Sequence, residues 1–380
     1  MADQIGNSLN GTSAASLPHV LHVIDADHFE RFGRMYRQLF LALVDVGVKV
    51  SVLTDDAEMV QKAEGSPIGH QFFPTLRGWG VWRLHRYLRQ QFNPPPQIVH
   101  LWGTGGIGYF SDWTLHAESK LLIHITTVRD LEKLKRRGLH HNERALAGCR
   151  EFYDQMRDCW PTLTNEISLH PPALLRPERL PEPSPRGNTL GVMCVGRLER
   201  GSGINVLIDA MAQLRDKECD FHVALIGDGG AARDYWRRAR SLRVQDRLSI
   251  VAEPHIWDRT MVGTDVFVAP ARQRELSLAP LLAMSLGKVV ITSRDQLGEW
   301  FVEDETALQF EPGSAVELAY HLSRVAAGMP TIRAMARNAA NYVGSQNAVT
   351  ALADELTRFY TGLIQGAQAV GGTPLGERSA

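Results

Sequence analysis

Thr189-Leu190-Gly191-Val192-Met193-Cys194-Val195 runs straight into Gly196-Arg197-Leu198, with Gly201 and Gly203 close behind. The apolar run carries no polar alternation, which predicts a strand buried on both faces. Glycine then lets the chain turn into the helical pattern of residues 203–216. Strand, glycine turn and helix in that order form the opening unit of a parallel α/β sheet. An arginine at such a strand end has the fork geometry to grip a diphosphate, with helix amides beneath it. The alternative is a solvated surface arginine.

Working outward, the unit repeats downstream. Strands are predicted at 221–226, 248–251, 265–269 and 289–292, with helices at 231–242 and 276–286. A short segment near 307–311 and a helix at 314–326 complete this half. Upstream, residues 171–188 hold six prolines and little that packs, the composition of an interdomain linker. Before it come predicted strands at 18–24, 48–53, 70–73, 97–102 and 120–126, and helices at 32–46, 79–92 and 142–157. Two doubly wound parallel sheets in tandem follow. Residues 330–360 read as helical, and the Gly-, Ala- and Ser-rich end reads as disordered.

A chain of 380 residues suits two such domains. Its formal net charge of -1 argues against nucleic acid as a partner. Cys149, Cys159, Cys194 and Cys219 lack any CxxC spacing, so neither a disulfide framework nor a zinc knuckle is expected. His140-His141 lacks an acid at ligand spacing, and no metal site is assigned. Met1 to Leu17 has no signal-peptide pattern, and no apolar run reaches membrane-span length. A cytoplasmic location is expected. Arg77, Arg83, Arg86 and Arg89 with Trp79, Trp82 and Tyr87 also mark a candidate peripheral membrane segment.

Two glycine loops remain open on residue grounds. Gly103-Thr104-Gly105-Gly106-Ile107-Gly108 matches GxGxxG but follows a late strand, so a tight turn at the cleft competes with a dinucleotide loop. Gly227-Asp228-Gly229-Gly230 divides evenly between a ligand loop and a plain turn.

The second half resembles the retaining GT-B glycosyltransferases of the group often called family 4. Val195-Gly196-Arg197-Leu198, Leu225-Ile226-Gly227-Asp228-Gly229, Asp265-Val266-Phe267-Val268-Ala269-Pro270 and Leu281 through Val290 carry the likeness, followed by Glu299 and Thr306-Ala307. Gly47 to Leu53 and Ile98-Val99-His100 are fainter echoes in the first half. The resemblance implies a GT-B fold: residues 18–180 as an acceptor-side Rossmann-like domain, 188–345 as the donor domain, and 346–365 as a helix bracing the first domain. It further implies a UDP- or GDP-sugar donor, a glycan, lipid or small-molecule acceptor, retention of anomeric configuration, and no cofactor or essential metal.

Carried onto this chain, the resemblance suggests Arg197, Arg200, Gly203, Gly227, Asp228, Gly229, Arg274 and Glu299 for the nucleotide. Arg197, Glu275 and His100 are the candidates for catalysis. Asp25, His28, Arg31, Gly33, Trp102, Arg129 and Asp130 are expected to face the cleft from the first domain, and Asp295, Gln296 and Gly298 from the second. The chain departs from the family pattern in three places. Ser202 stands where a lysine precedes the glycine, Arg274 or Glu275 falls at the first of two glutamates, and Leu282 falls at the second. A leucine cannot accept the ribose hydrogen bonds, a loss of about 1–3 kcal/mol, and serine brings no charge to the leaving diphosphate. A transferase-fold protein that has lost catalysis is therefore the second reading. Glu299 has an alternative role as a carboxylate capping helix amides.

Overall fold

The computed structural model describes residues 18–62, 68–72, 80–175, 189–251, 257–271 and 274–366. The first domain runs β1 (His19–Ile24), α1 (Ala26–Asp45), β2 (Lys49–Thr54), α2 (Ala57–Lys62), β3 (Gly69–Phe72), α3 (Gly80–Gln91) and β4 (Ile98–Trp102). It continues through α4 (Ile107–His116), β5 (Lys120–Ile125), α5 (Val128–Arg137), β6 (Glu143–Ala147), α6 (Arg150–Cys159) and β7 (Ile167–Leu169). The strands form one parallel sheet in the order β3-β2-β1-β4-β5-β6-β7. The direction of winding reverses between β1 and β4, where open α/β sheets collect ligands.

The second domain runs β8 (Leu190–Val195), α7 (Ile204–Asp216), β9 (Phe221–Ile226), α8 (Ala232–Ser241), β10 (Leu248–Val251), α9 (Trp257–Val262) and β11 (Val266–Ala269). Then come β12 (Glu275–Leu276), α10 (Leu278–Ser285), β13 (Val289–Ser293), β14 (Gln296–Leu297) and β15 (Leu308–Phe310). Three helices close the chain: α11 (Ala315–Ala326), α12 (Pro330–Gln346) and α13 (Val349–Ile364). Its parallel sheet has the order β10-β9-β8-β11-β13-β15, with its switch point between β8 and β11.

Alternation along the strands divides the second domain's core in two. Val192 and Cys194 enter one cluster with α7, while Met193 between them enters the other; Val266 and Val268 alternate with Phe267 in the same way. The cluster holding Met193 and Phe267 is continuous with the first domain's core and includes Leu276, Leu281 and Trp300. The two domains therefore meet over apolar contact as well as polar bridges. In α1, Phe32, Met35, Tyr36, Leu39, Phe40 and Leu43 recur at helical spacing and are buried. Helix α13 packs on α1 with Leu352, Leu356, Tyr360 and Leu363 turned inward.

The structure corrects or sharpens three expectations. Residues 142–157 are not one helix: Glu143–Ala147 is strand β6, and the helix begins at Arg150. Glu, Ala and Leu favour helix locally, but pairing of Ala145 and Ala147 with β5 and β7 overrides that preference. Residues 330–360 are two helices, interrupted where the Asn347 carbonyl accepts from Leu174 N–H (2.8 Å). Helix α1 starts earlier than 32, at Ala26, because the Asp25 side chain caps it by accepting from His28 N–H (2.9 Å). Most of the proline-rich segment and the Gly-rich end lie outside the described residues. So do Arg77, Trp79 and the side chain of Trp82.

Candidate functional site

Beyond β8 and β9 the two loops are laced together by their backbones. Gly196 N–H donates to the Ile226 carbonyl (3.1 Å), Leu198 N–H to Asp228 (2.8 Å), and Ala231 N–H to Leu198 (2.8 Å). A Cβ on Gly227 would lie 2.0 Å from the Gly196 carbonyl oxygen, and one on Gly229 2.3 Å from that of Leu198. Both glycines have positive φ (146° and 156°). Close backbone approach thus accounts for these glycines without a ligand. Gly203, at φ 87°, opens α7, and no side chain caps that helix. Ser202 turns instead to the Tyr235 hydroxyl, at 2.9 Å.

The laced loops hold Arg197 at the mouth of the cleft. Its Nη2 donates to Glu30 Oε2 (2.7 Å) and lies 3.6 Å from Asp27 Oδ1, both on α1 of the opposite domain. The Glu30 carboxylate raises the pKa of the guanidinium further above its ordinary value. Arg200 does not join it: its guanidinium pairs with Asp234 (2.9 Å), and its side chain is 86% exposed. Asp228 is exposed beyond the lacing.

Two further polar bridges cross the cleft. Arg274 donates to the Glu151 carboxylate on α6. Glu299 Oε2 accepts from Arg150 N–H (3.1 Å), which supplies the cap that α6 lacks from its own Cys149. Capping thus describes Glu299 in this structure, although the helix belongs to the other domain. Glu275 pairs its backbone with Gln296 in the β12–β14 ladder; its side chain lies outside the described residues. Leu282 is buried, as is every residue of α10, so the position of the absent acid is packed with hydrocarbon.

On the first domain's edge, Asp25, His28 and Asp130 come together with Thr104 and Thr127. His28 Nδ1 lies 2.7 Å from Asp25 Oδ1, and Nε2 lies 3.0 Å from Asp130 Oδ2. Asp130 Oδ1 accepts from Thr104 N–H (3.0 Å), and the Thr104 and Thr127 hydroxyls also donate to this carboxylate. Burial alone would lower the His28 pKa, but hydrogen bonds to Asp130 and Asp25 outweigh it and raise the value to about 9. Burial opposes ionisation of Asp130 as well; His28, Thr104 and Thr127 overcome it and hold the carboxyl well below its ordinary range. The group is thus an imidazolium between two carboxylates, 4% exposed at both His28 and Asp130.

This cluster also explains the 103–108 loop. A Cβ on Gly103 would sit 2.3 Å from the His28 ring, and one on Gly105 2.9 Å from Asp25 Oδ2. The glycines admit the charged cluster, and Gly106 starts α4 at φ 76°. Asp25, Asp27 and Glu30 together make the start of α1 acidic and self-capped, which disfavours phosphate there.

His100 is placed differently from the expectation. It lies mid-strand in β4, 0% exposed, with Nδ1 2.8 Å from the Tyr360 hydroxyl on α13. Alternation along β4 turns it toward the helices over the sheet, beside Trp102, His124 and His22, rather than toward the cleft. Burial holds His22 and His124 at about 3 and also lowers His100 well below its ordinary value. Trp102 belongs to this buried layer as well. The isolated residues of the polar cluster were legible as candidates, but their assembly was not. Thr127-x-x-Asp130, a capping pair directly after an apolar strand, was the signal available for it.

Residues 189–328 match the family described as Glycosyl transferases group 1. This stretch is similar to group 1 glycosyltransferase domains. Kanosaminyltransferase of Streptomyces kanamyceticus is 26% identical over 174 residues, 44% of this chain and 45% of that protein. The lipopolysaccharide core glycosyltransferase LpsE of Rhizobium meliloti is 26% identical over 137 residues, 36% of this chain and 39% of that one. The matched stretch thus spans less than half of either curated relative.

Among solved structures, a Rickettsia africae glycosyltransferase superposes with a TM-score of 0.77 at 14% identity, covering 92% of this chain and 99% of that one. HepE of Anabaena, solved with UDP-glucose, gives 0.74 at 15% identity over 90% and 99%. The two parallel-sheet Rossmann-like domains are the GT-B fold.

Proposed function

We propose that the chain transfers a sugar from a nucleoside-diphosphate donor, a UDP- or GDP-sugar, to a glycan, lipid or small-molecule acceptor. Transfer retains anomeric configuration and needs no metal. The donor's diphosphate binds at the end of β8, and the acceptor enters along the edge of the first domain beside Asp25. The observation that carries this is Arg197, held by the laced loops of a group 1 domain with its fork turned into the cleft. The permanent positive charge of Arg197 and the uncapped start of α7 stand where a leaving diphosphate needs compensation.

A binding protein without turnover is the second reading. Leu282 in the core and Ser202 turned to Tyr235 favour it, because neither meets the ribose or the phosphates. A peripheral membrane contact belongs to the proposal through Arg83, Arg86 and Arg89 on α3.

Calorimetry with UDP and GDP tests the donor site. Arg197→Ala is expected to weaken binding at least about tenfold, the loss of one charge-assisted contact of roughly 1.5–3 kcal/mol. Equal affinities for wild type and variant would remove Arg197 from the site.

A further inference from the structure

Among the described residues, the polar contacts of Glu30 are with Arg197, across the cleft. Its Oε2 takes Arg197 Nη2 at 2.7 Å and its Oε1 takes Nε at 3.4 Å. The guanidinium therefore presents to Glu30 the same two-donor face that a diphosphate would need. Asp27 Oδ1 stands 3.6 Å from Nη2, while Asp27 Oδ2 is held by Arg31 Nε at 3.3 Å. Helix α1 does not need Glu30 for its own start, since Asp25 caps it and Asp55 Oδ1 accepts from Ala26 N–H (2.9 Å).

We propose that Glu30, seconded by Asp27, determines how tightly the chain holds a free nucleoside diphosphate, by competing with it for Arg197. The proposal rests on Arg197 as the diphosphate ligand. A bound diphosphate draws the guanidinium away and leaves two carboxylates facing an anion across the cleft. That repulsion is greater for the free nucleoside diphosphate than for the nucleotide-sugar, because loss of the sugar exposes a further phosphate charge. Glu30 and Asp27 thereby favour donor over spent nucleotide and hasten release. Arg197 and Glu30 are both about half exposed (51% and 59% for the side chains), so the competition is shallow and sensitive to salt.

The test is calorimetry of UDP and UDP-glucose with wild type, the double variant Glu30→Gln/Asp27→Asn, Arg197→Ala, and all three substitutions together. Asp45→Asn, at the far end of α1, is the charge control. The double variant is expected to bind UDP about fivefold to tenfold tighter at low salt, with a smaller gain for UDP-glucose. Both gains should shrink in higher salt and be absent in the control, and they should be smaller on the Arg197→Ala background, where only the repulsion remains.

Unchanged or weaker UDP binding in the double variant, with Arg197→Ala still harmful, overturns the competition and leaves the donor site standing. A gain of the same size without Arg197 also overturns it, since repulsion alone would then account for the whole effect. If neither nucleotide binds wild type or double variant, the donor site falls and the competition with it.

Discussion

Lowering the pH from 7 to 5 is expected to cost this protein most or all of its folding stability. His22, His100, His124 and His170 are buried in the first domain, each 2% exposed or less. Burial keeps them neutral, with pKa values of about 3 for His22 and His124 and about 4 for His170. His100 is lowered by burial and by the three neighbouring histidines.

The sign follows from linkage. The unfolded chain takes up these protons below about pH 6.5 while the folded chain does not, so stability falls as pH drops from there toward the folded values. Each of His22, His124 and His170 loses roughly 2 kcal/mol by pH 5, on the order of 6 kcal/mol for the three, and His100 acts in the same direction. A typical domain holds about 5–15 kcal/mol in total. Glu355 is the carboxylate nearest to this layer, 3.4 Å from His170 Nδ1, but that nitrogen has no hydrogen-bond partner. Burial also raises the Glu355 pKa, so its charge offers little relief. Urea unfolding followed by circular dichroism at pH 7, 6 and 5 measures the effect. A constant unfolding free energy across that range would contradict neutral burial of the four rings.

Asp130→Asn is the second large effect, a loss of about 3–5 kcal/mol at pH 6, the cost of breaking a buried ion pair from one side. Asparagine keeps the shape, but it leaves the His28 imidazolium with Asp25 alone and returns an amide where two hydroxyls and Thr104 N–H now donate. The pH dependence separates charge from shape. The His28 pKa is raised to about 9, so its contribution is complete below about pH 6.5 and is lost as pH rises through 9. Wild type should therefore lose about 3 kcal/mol between pH 6.5 and 9.5, and the gap to Asp130→Asn should narrow. A gap of the same size at pH 6 and 9.5 would reduce Asp130 to a packing role.

Much of the scaffold was legible because parallel strands buried on both faces write themselves as apolar runs. Val289 to Ile291 and Ile98 to Leu101 need no other information. Glu143–Ala147 escaped because its residues favour helix and only its neighbours β5 and β7 make it a strand. The candidate site was harder to read. Gly227 and Gly229 look like ligand glycines in sequence, and only the clash a Cβ would make with the other loop, at 2.0 and 2.3 Å, gives their reason. His100 is a candidate for catalysis in sequence, yet it lies mid-strand in β4, two residues before Trp102, and faces α13. Charge pairing across the cleft, as in Arg197 with Glu30 or Arg150 N–H with Glu299, joins residues far apart in the chain and leaves no local pattern.

The central claim is that a nucleoside diphosphate binds at the end of β8 on Arg197. A crystal structure of the full chain soaked with UDP or GDP tests it most directly. The diphosphate is expected against Arg197 and the start of α7, with the guanidinium turned away from Glu30. A nucleotide bound instead at the 103–108 loop, or an unoccupied β8 end at saturating nucleotide with Arg197 still on Glu30, would contradict it.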